Sequence, residues 1–301
     1  MKKIIFPEGE DERIISAAKI LKEKEIAEPI LISKKNIEGL EIINPEISKE
    51  KEELSQELSR ITGFPLRITQ NMILHHLYFG AMMLKTNKVD AMIGGAIFTS
   101  AEVLTVATQV VGLEKGISIP SSYFLMEIPN YEGGENGKLI FADASVSPNP
   151  QPQCLADIAI TTARTAKRFF NWEPRVAMLS FSTKGSASHP LVEKVVEATK
   201  IAQKKAPEIA IDGELQADAA LKEDVAKRKM KDIGKVAGRA NILIFPDLNA
   251  GNISYKLVNI LAKAKALGPI LQGFQKPVSD LSRGVKVEEI IEIAKILIGS
   301  Y

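Results

Sequence analysis

The sequence has little of what disulfide frameworks and metal centres are built from. Its 301 residues include one cysteine and three histidines. A single cysteine excludes a disulfide within the chain. The histidines His75, His76 and His189, together with Cys154, do not have the spacing of metal ligands. The sequence therefore predicts a protein with neither a disulfide scaffold nor a metal site.

Excess charge, aromatic residues and long apolar runs are also missing. Lysine and arginine together number 39 against 37 acidic residues, the formal net charge is +2, and aromatic residues make up 6%. Nucleic-acid-binding domains usually carry a clustered basic excess, which this balance does not provide. The apolar run before Pro7 is too short for a signal peptide, and no later run is long enough to span a membrane. We therefore expect a cytoplasmic protein with a small-molecule partner and with no nucleic-acid or membrane partner.

What the sequence does contain is a regular alternation of short apolar strands and amphipathic helices. A strand at 3–6 precedes a helix from Asp11, a long helix is expected at 69–84, and a strand at 242–245 precedes a helix after Asn252. Near-continuous apolar strands are typical of a mainly parallel sheet covered by helices on both faces. The predicted fold class is therefore α/β. Ligands of such sheets bind at the carboxyl ends of the strands.

A stretch rich in glycine and proline, Gly268–Gly284, is predicted to be a shaped loop that carries a site. Within it, Arg283 lies between Ser282 and Gly284. A guanidinium beside a hydroxyl and a permissive backbone suits a phosphate group or a developing oxyanion. The alternative is an ordinary strand-to-helix turn with a solvated arginine, and the residues alone leave both open.

Six short stretches, spread along the chain in order, resemble the motifs of the phosphate acetyltransferase (phosphotransacetylase) family. They are Phe6–Arg13, Phe141–Asp143 with Pro148–Pro150, Ser182–Ala187, Asp212–Gln216, Phe245–Asn252 and Lys276–Gly284. No one of these stretches is specific alone. Six in the right order, from the N-terminus to the last helix, argue against chance similarity.

The resemblance implies reversible acetyl transfer between coenzyme A and inorganic phosphate, with coenzyme A as a substrate and no metal or nicotinamide cofactor. It also implies a homodimer and a two-domain fold like that of the isocitrate and isopropylmalate dehydrogenases. The first domain would comprise residues 1–132 plus 272–301, and the second residues 133–271. The active-site cleft would lie between them.

The resemblance also implies roles for particular residues. Ser282 and Arg283 take the catalytic serine–arginine pair, and Glu289 falls where relatives generally have an aspartate, so it is the candidate base for the coenzyme A thiol. An acid in the first turn of a helix, favoured by the macrodipole, is the alternative for Glu289. The predicted substrate-binding residues are Ser182, Thr183, Lys184, Asn249, Gly251, Asn252 and Lys276.

Some positions depart from the family pattern and keep other functions open. The family often has arginine where this chain has Thr105, Ile119 and Ile260. One alternative is a relative specific for propionyl or butyryl groups, and another is a non-catalytic homologue that binds coenzyme A or an acyl phosphate. A metal-dependent hydroxyacid dehydrogenase on the same general fold would need convergent aspartates, and the sequence does not show that pattern.

Overall fold

The computed structural model describes residues 1–299 and residue 301. It divides into two compact units, one made of Met1–Glu114 with Phe274–Tyr301 and the other of Lys115–Gly273. The strands of the described chain are β1 Lys3–Phe6, β2 Glu28–Ile32, β3 Glu41–Ile43, β4 Ala91–Gly94, β5 Ser121–Glu127, β6 Lys138–Ala142, β7 Arg175–Leu179, β8 Ala210–Leu215, β9 Ile242–Ile244, β10 Lys265–Gln272 and β11 Val278–Asp280.

The helices lie between these strands in nearly regular alternation. They are α1 Glu12–Glu23, α2 Lys51–Thr62, α3 Leu66–Met72, α4 His76–Lys85, α5 Ser100–Val106, α6 Pro152–Phe170, α7 Pro190–Lys205, α8 Ala217–Leu221, α9 Glu223–Lys229, α10 Leu248–Leu261 and α11 Val287–Ile298. A π-helical turn at Ala107–Val111 extends α5. None of the described helices is both long and apolar enough to cross a membrane.

The first unit contains a parallel sheet in the order β3-β2-β1-β4-β11. Strands β1, β2 and β4 are buried because helices pack on the sheet, which explains their largely apolar sequence, whereas the edge strand β3 is partly exposed. Since β1, β4 and β11 run in the same direction, the segments that follow them meet at one edge. These segments are residues 7–11, 95–99 and 281–286.

The second unit contains strands in the order β10-β5-β6-β9-β7-β8. The pairs β10–β5 and β5–β6 are antiparallel, whereas β6, β9, β7 and β8 run parallel to one another. The parallel strands again bring the segments after their carboxyl ends to a common edge. The predicted α/β class with mainly parallel sheets is confirmed.

Two of the predicted helices need correction. The helix expected at 69–84 is two helices, because the chain turns at Ile73–His75 and His76 begins a new helix with its Nδ1 2.9 Å from the Pro7 carbonyl oxygen. The helix expected after Asn252 starts at Leu248, because the Asp247 side chain accepts a hydrogen bond from Ala250 N and caps it.

The predicted loop Gly268–Gly284 is partly strand. Its first part continues β10, whose pairing with β5 shifts register between Leu267 and Ile270, and its middle forms β11. Only the segment 281–286 is irregular. The predicted domain boundary after residue 132 lies within the second compact unit, because β5 pairs with β6 and β10.

Candidate active site

Glu8 shapes the segment after β4. Its side chain is buried, and its carboxylate accepts hydrogen bonds from Ala96 N at 2.9 Å and from Ile97 N and Phe98 N at 2.6 Å each. Three backbone donors turned toward one carboxylate would have no partner without it. The first motif therefore contributes a structural anion that fixes the segment 95–99.

Arg13 ties this segment to the one after β11. Its Nη2 donates to the Ala96 carbonyl oxygen at 3.1 Å, and its Nη1 donates to the Arg283 carbonyl oxygen at 2.6 Å. Asp11 orients the guanidinium through two hydrogen bonds, to Nε at 3.0 Å and to Nη2 at 2.8 Å. These bonds lower the pKa of Asp11 against the opposing effect of burial, and they raise the pKa of Arg13. The backbone at Arg283 is thus held by a charge-assisted bond.

The segment 281–286 presents two of the predicted catalytic groups to solvent. Ser282 and Arg283 are both exposed. Within residues 1–299 and 301, no hydrogen bond uses the Arg283 guanidinium, although its charge reaches Glu102 on α5. The Glu102 pKa is lowered first by hydrogen bonds from the Thr99 backbone and hydroxyl, then by the charge of His75, and least by that of Arg283. The N–H donors of the Arg283 guanidinium are therefore not used within the described chain.

Asp280, the last residue of β11, is a buried acid to which the sequence gave no role. It is 2% exposed, and its Oδ2 accepts a hydrogen bond from the exposed Ser100 hydroxyl. In the described chain its Oδ1 has no hydrogen-bond partner. Burial raises the pKa of Asp280 to about 6, the charge of Glu8 adds to the rise, and the Ser100 hydroxyl and the Leu281 N–H oppose it. An acid two residues before the predicted Ser282–Arg283 pair was the available signal.

Gly95 is needed beside this carboxylate. Its φ is +107°, and a Cβ added there would collide with Asp280 Oδ1. Glycine is required here for two reasons: the backbone has a positive φ, and the Asp280 carboxylate occupies the space that a Cβ would need.

The other two predicted site residues of the first unit, Glu289 and Lys276, lie on opposite sides of β11. Glu289 is in the first turn of α11, where its Oε2 accepts a hydrogen bond from Lys286 N at 2.9 Å. Lys276 precedes β11, at the opposite end of that strand from Ser282, and its Nζ donates to Asn87 Oδ1. Ser282, Arg283 and Glu289 thus all come after the carboxyl end of β11, whereas Lys276 lies before its amino end.

In the second unit, Glu214 shapes the segment after β7. Its Oε1 accepts hydrogen bonds from Ser182 Oγ at 2.9 Å and from Gly185 N at 2.7 Å. Thr183 exchanges hydrogen bonds with Gln216, donating to its side chain at 3.2 Å and accepting from its backbone N–H at 3.0 Å. Ser182 and Thr183 are buried, so they shape the loop from within.

Lys184 lies at the turn of the same loop and is paired within the protein. It has a φ of +48°, and its Nζ lies 2.5 Å from Asp212 Oδ1 and 2.7 Å from the Gly213 carbonyl oxygen. Its side chain is 40% exposed. A ligand at this ammonium would share it with an internal carboxylate.

The start of α10 packs against the segment after β6. A Cβ added at Gly251 would collide with the Asp143 carbonyl oxygen, and Asn252 Nδ2 donates to the Ala144 carbonyl oxygen at 3.0 Å. Asn249 is exposed. Two of these three predicted binding residues therefore have a packing role, whereas the exposed Asn249 makes no side-chain hydrogen bond within the described residues.

Asp143 holds a loop of the second unit by accepting backbone hydrogen bonds, as Glu8 does in the first unit. It is buried and accepts hydrogen bonds from the Ser122 hydroxyl and from backbone N–H groups of three consecutive residues, 145–147. Glu8, Asp143 and Glu214 each lie at or just after the carboxyl end of a parallel strand. The motif acids thus hold loops at the edges where ligands bind in such folds.

A family model described as phosphate acetyl/butaryl transferase matches residues 1–298 of the chain. The chain belongs to this family. It is 48% identical to the phosphate acetyltransferase of Thermoanaerobacterium thermosaccharolyticum, over 97% of this chain and 93% of that protein. The identity to the phosphate acetyltransferase of Clostridium acetobutylicum is 46%, over 99% of this chain and 93% of that protein.

A solved structure agrees with this membership. A phosphotransacetylase from Streptococcus pyogenes has a TM-score of 0.92 and 40% identity, with 99% of this chain and 93% of that chain covered. The resemblance predicted from six motifs is confirmed. The positions at which family arginines are absent are exposed at Thr105 and Ile260 and partly buried at Ile119.

Proposed function

We propose that the protein is an enzyme that transfers acetyl groups reversibly between coenzyme A and inorganic phosphate in the cytoplasm. The observation that supports the proposal most is the segment 281–286. Within residues 1–299 and 301 it presents the Arg283 guanidinium without an internal hydrogen bond, next to the Ser282 hydroxyl, on a backbone that Arg13 fixes. A preorganised cation is what a phosphate leaving group and a tetrahedral oxyanion require.

In this proposal Arg283 binds the negative charge that develops on the acyl oxygen or on the phosphate. Ser282 supplies one neutral hydrogen bond beside it. The thiol must lose its proton before it attacks the acyl carbon, and Glu289 is the base implied by the family motif. No metal takes part in the proposed reaction. In the described chain, no group of three or more histidine, cysteine, aspartate or glutamate side chains could hold a metal ion.

The remaining predicted binding residues keep their assignment to coenzyme A and phosphate as part of the proposal. Lys184 and Asn249 have exposed polar groups that suit such ligands. Ser182, Thr183, Gly251 and Asn252 would act by shaping the loops that bear those groups. Lys276 is the weakest member, since its ammonium is bonded to Asn87 at the other end of β11.

The experiment that tests the function is an assay of coenzyme A with acetyl, propionyl and butyryl phosphates, following phosphate release and thiol consumption together. We expect turnover with acetyl phosphate without added metal, apart from any salt requirement. A preference for propionyl or butyryl phosphate would favour the longer-chain alternative, which the uncharged Thr105, Ile119 and Ile260 leave open. Folded protein that binds coenzyme A but turns over none of the three would be a non-catalytic homologue.

We also propose a homodimer in which α10 packs against a second copy. Four apolar side chains at helical spacing on α10 are exposed: Ile253 56%, Leu257 50%, Ile260 71% and Leu261 77%. An apolar stripe of this kind is typical of an interface rather than of a solvated helix. A second copy is the chosen occupant because the helix offers apolar contacts with few charges, the composition of homodimer interfaces.

The double variant Leu257→Glu/Leu261→Glu should therefore be a monomer, because each carboxylate would be buried without a counter-charge on association. Sedimentation velocity of wild type and variant measures this directly. Ile47→Glu is the matched control, since Ile47 is 84% exposed and lies in the first unit. If wild type sediments as a monomer, or if the double variant still sediments as a dimer, α10 is not the interface.

A further inference from the structure

We propose that Lys194 and Asn149 bind a phosphate group of a substrate at the carboxyl edge of the parallel strands in the second unit. The inference rests on the proposed acyl transfer, in which inorganic phosphate, acetyl phosphate and coenzyme A all carry phosphate groups. It adds a cation and an amide to the binding residues that the family resemblance implies.

Three segments at this edge meet at the Lys194 side chain. Lys194 lies near the start of α7, which follows β7, and its Nζ donates to Asn149 Oδ1 at 2.9 Å and to the Pro246 carbonyl oxygen at 2.8 Å. Asn149 follows β6, and Pro246 follows β9. Because β6, β9 and β7 are adjacent parallel strands, the ammonium lies at the edge where such sheets bind ligands.

The charge of Lys194 has no acidic partner. Within residues 1–299 and 301 its ammonium forms no ion pair, and both of its hydrogen-bond acceptors are neutral. Burial lowers the pKa of Lys194, and the charge of Asp247, whose carboxylate caps α10, opposes this effect. A partly buried cation without a counter-charge carries a desolvation cost that a neutral donor would avoid. A bound anion would supply the missing counter-charge.

The two side chains also have unused donors. An ammonium has three N–H donors, and the bonds to Asn149 and Pro246 use two of those on Lys194. Because Asn149 accepts the lysine bond at Oδ1, its two amide N–H donors remain, and they have no partner within the described residues. Asn149 is exposed, so these donors are open to solvent. A phosphate group matches this combination, because its oxygens accept hydrogen bonds and carry negative charge.

A second exposed amide lies on the adjoining segment. Leu248 N donates to the Pro148 carbonyl oxygen at 3.0 Å, and Asn249 and Asn149 are the next residues on the two sides of this bond. Asn249 is exposed and already belongs to the predicted binding residues. The backbone bond therefore holds two amide side chains on neighbouring segments of the same edge.

Lys184 is less suited to the same task. It forms an ion pair with Asp212, so a phosphate group at Lys184 would compete with an internal carboxylate. At Lys194 a phosphate group would compete with neutral acceptors alone. The cation that lacks a counter-charge gains more from binding an anion.

The test compares wild type with Lys194→Met, using inorganic phosphate, coenzyme A and 3′-dephospho-coenzyme A as probes. The variant keeps the apolar stem but loses the charge and the donors. The KM of the substrate whose phosphate binds here should rise about tenfold or more, because a charge-assisted hydrogen bond is lost. kcat should change less, since the bond is present in the ground state as well as in the transition state. Isothermal titration calorimetry of the same probes should show the loss of affinity without turnover.

The three probes show which phosphate group occupies the site. A higher KM for inorganic phosphate alone assigns the site to the phosphate substrate. A higher KM for coenzyme A that disappears with 3′-dephospho-coenzyme A assigns it to the 3′-phosphate. A higher KM for both forms of coenzyme A assigns it to the diphosphate. Each of these results supports the proposal.

Asn149→Asp separates phosphate binding from a purely structural role of Lys194. The new carboxylate keeps an acceptor for the lysine, so the segments stay bonded, but it removes the amide donors and repels phosphate. A structural role predicts normal KM values, whereas the proposed site predicts a higher KM for the probe that Lys194→Met affects. Asn149 is exposed, so this variant serves even if Lys194→Met is poorly folded. Lys194→Arg keeps the charge and should recover part of the affinity.

Lys200→Met is the matched control. Lys200 lies on the same helix and is exposed, and in the part of the chain that the structure describes it makes no hydrogen bond or ion pair. Its replacement removes one positive charge from α7 and should leave all three KM values near those of wild type.

Two results would overturn the phosphate site. One is wild-type KM and affinity for all three probes in folded Lys194→Met and Asn149→Asp. The other is normal Asn149→Asp beside a Lys194→Met enzyme that loses kcat alone, since Lys194 would then only hold the loops. Wild type without turnover that still binds a phosphate probe through Lys194 would reject the proposed acyl transfer and retain the site.

Discussion

Arg283→Ala should lower kcat by about 100-fold or more, the usual effect of removing one preorganised donor to an oxyanion. The structure gives a reason for a large value. The guanidinium has no internal hydrogen bond in the described chain, and the three positions at which the family resemblance implies arginine are here Thr105, Ile119 and Ile260. With fewer cations in the site, Arg283 has to supply a larger share of the stabilisation of the oxyanion. Measuring kcat and KM for phosphate separates an effect on the transition state from weaker ground-state binding.

Three further variants make the result specific. Arg283→Lys should recover only part of the activity, since a point ammonium cannot reproduce the planar fork of donors. Ser282→Ala should lose less than Arg283→Ala, because a hydroxyl supplies one neutral hydrogen bond without charge. Arg60→Ala, which removes an exposed arginine paired with Glu57, controls for the loss of one positive charge. Near-normal turnover of a folded Arg283→Ala enzyme would place the active site elsewhere.

The sequence predicted the fold class because burial dictates the apolar pattern of each strand locally. The strand at 3–6, the helix after Asp11 and the α/β alternation need only the spacing of apolar residues. The same local information predicted a site at Ser282 and Arg283, since a hydroxyl, a guanidinium and a glycine in a row are visible without knowledge of the fold. The strand content of Gly268–Gly284 was missed because glycine and proline signal turns, whereas pairing of β10 with β5 overrides them.

The sequence could not predict which acids hold which loops. Glu8 and Ala96 are bonded although 88 positions separate them, and the bond exists only because β1 and β4 are neighbours in the sheet. Sheet order depends on crossovers between distant strands, which local periodicity does not encode. Asp280 was missed for the same reason. Its burial, and the contact with Ser100 across 180 positions, follow from the pairing of β11 with β4.

The largest effect on stability is expected for Glu8→Ala. The change leaves the N–H groups of Ala96, Ile97 and Phe98 without their shared acceptor. Because leaving a buried donor unpaired costs about 1 to 3 kcal/mol, the loss of all three bonds should lower the free energy of unfolding by about 3 kcal/mol or more. Chemical denaturation followed by circular dichroism measures the change. The unfolding transition of the unit that contains Glu8 is the relevant one, because two compact units need not unfold together.

Two companions to Glu8→Ala show whether the shared acceptor is the cause. Glu8→Gln keeps one carbonyl oxygen but turns a donating amide toward the same N–H groups, so its destabilisation should lie between wild type and Glu8→Ala. Glu12→Ala removes an exposed acid four residues away and should change the free energy of unfolding by less than about 1 kcal/mol. A loss below about 1 kcal/mol in Glu8→Ala would mean that water replaces the carboxylate at the three N–H groups. The segment 95–99 would then owe its shape to Arg13 and to the Thr99 cap instead.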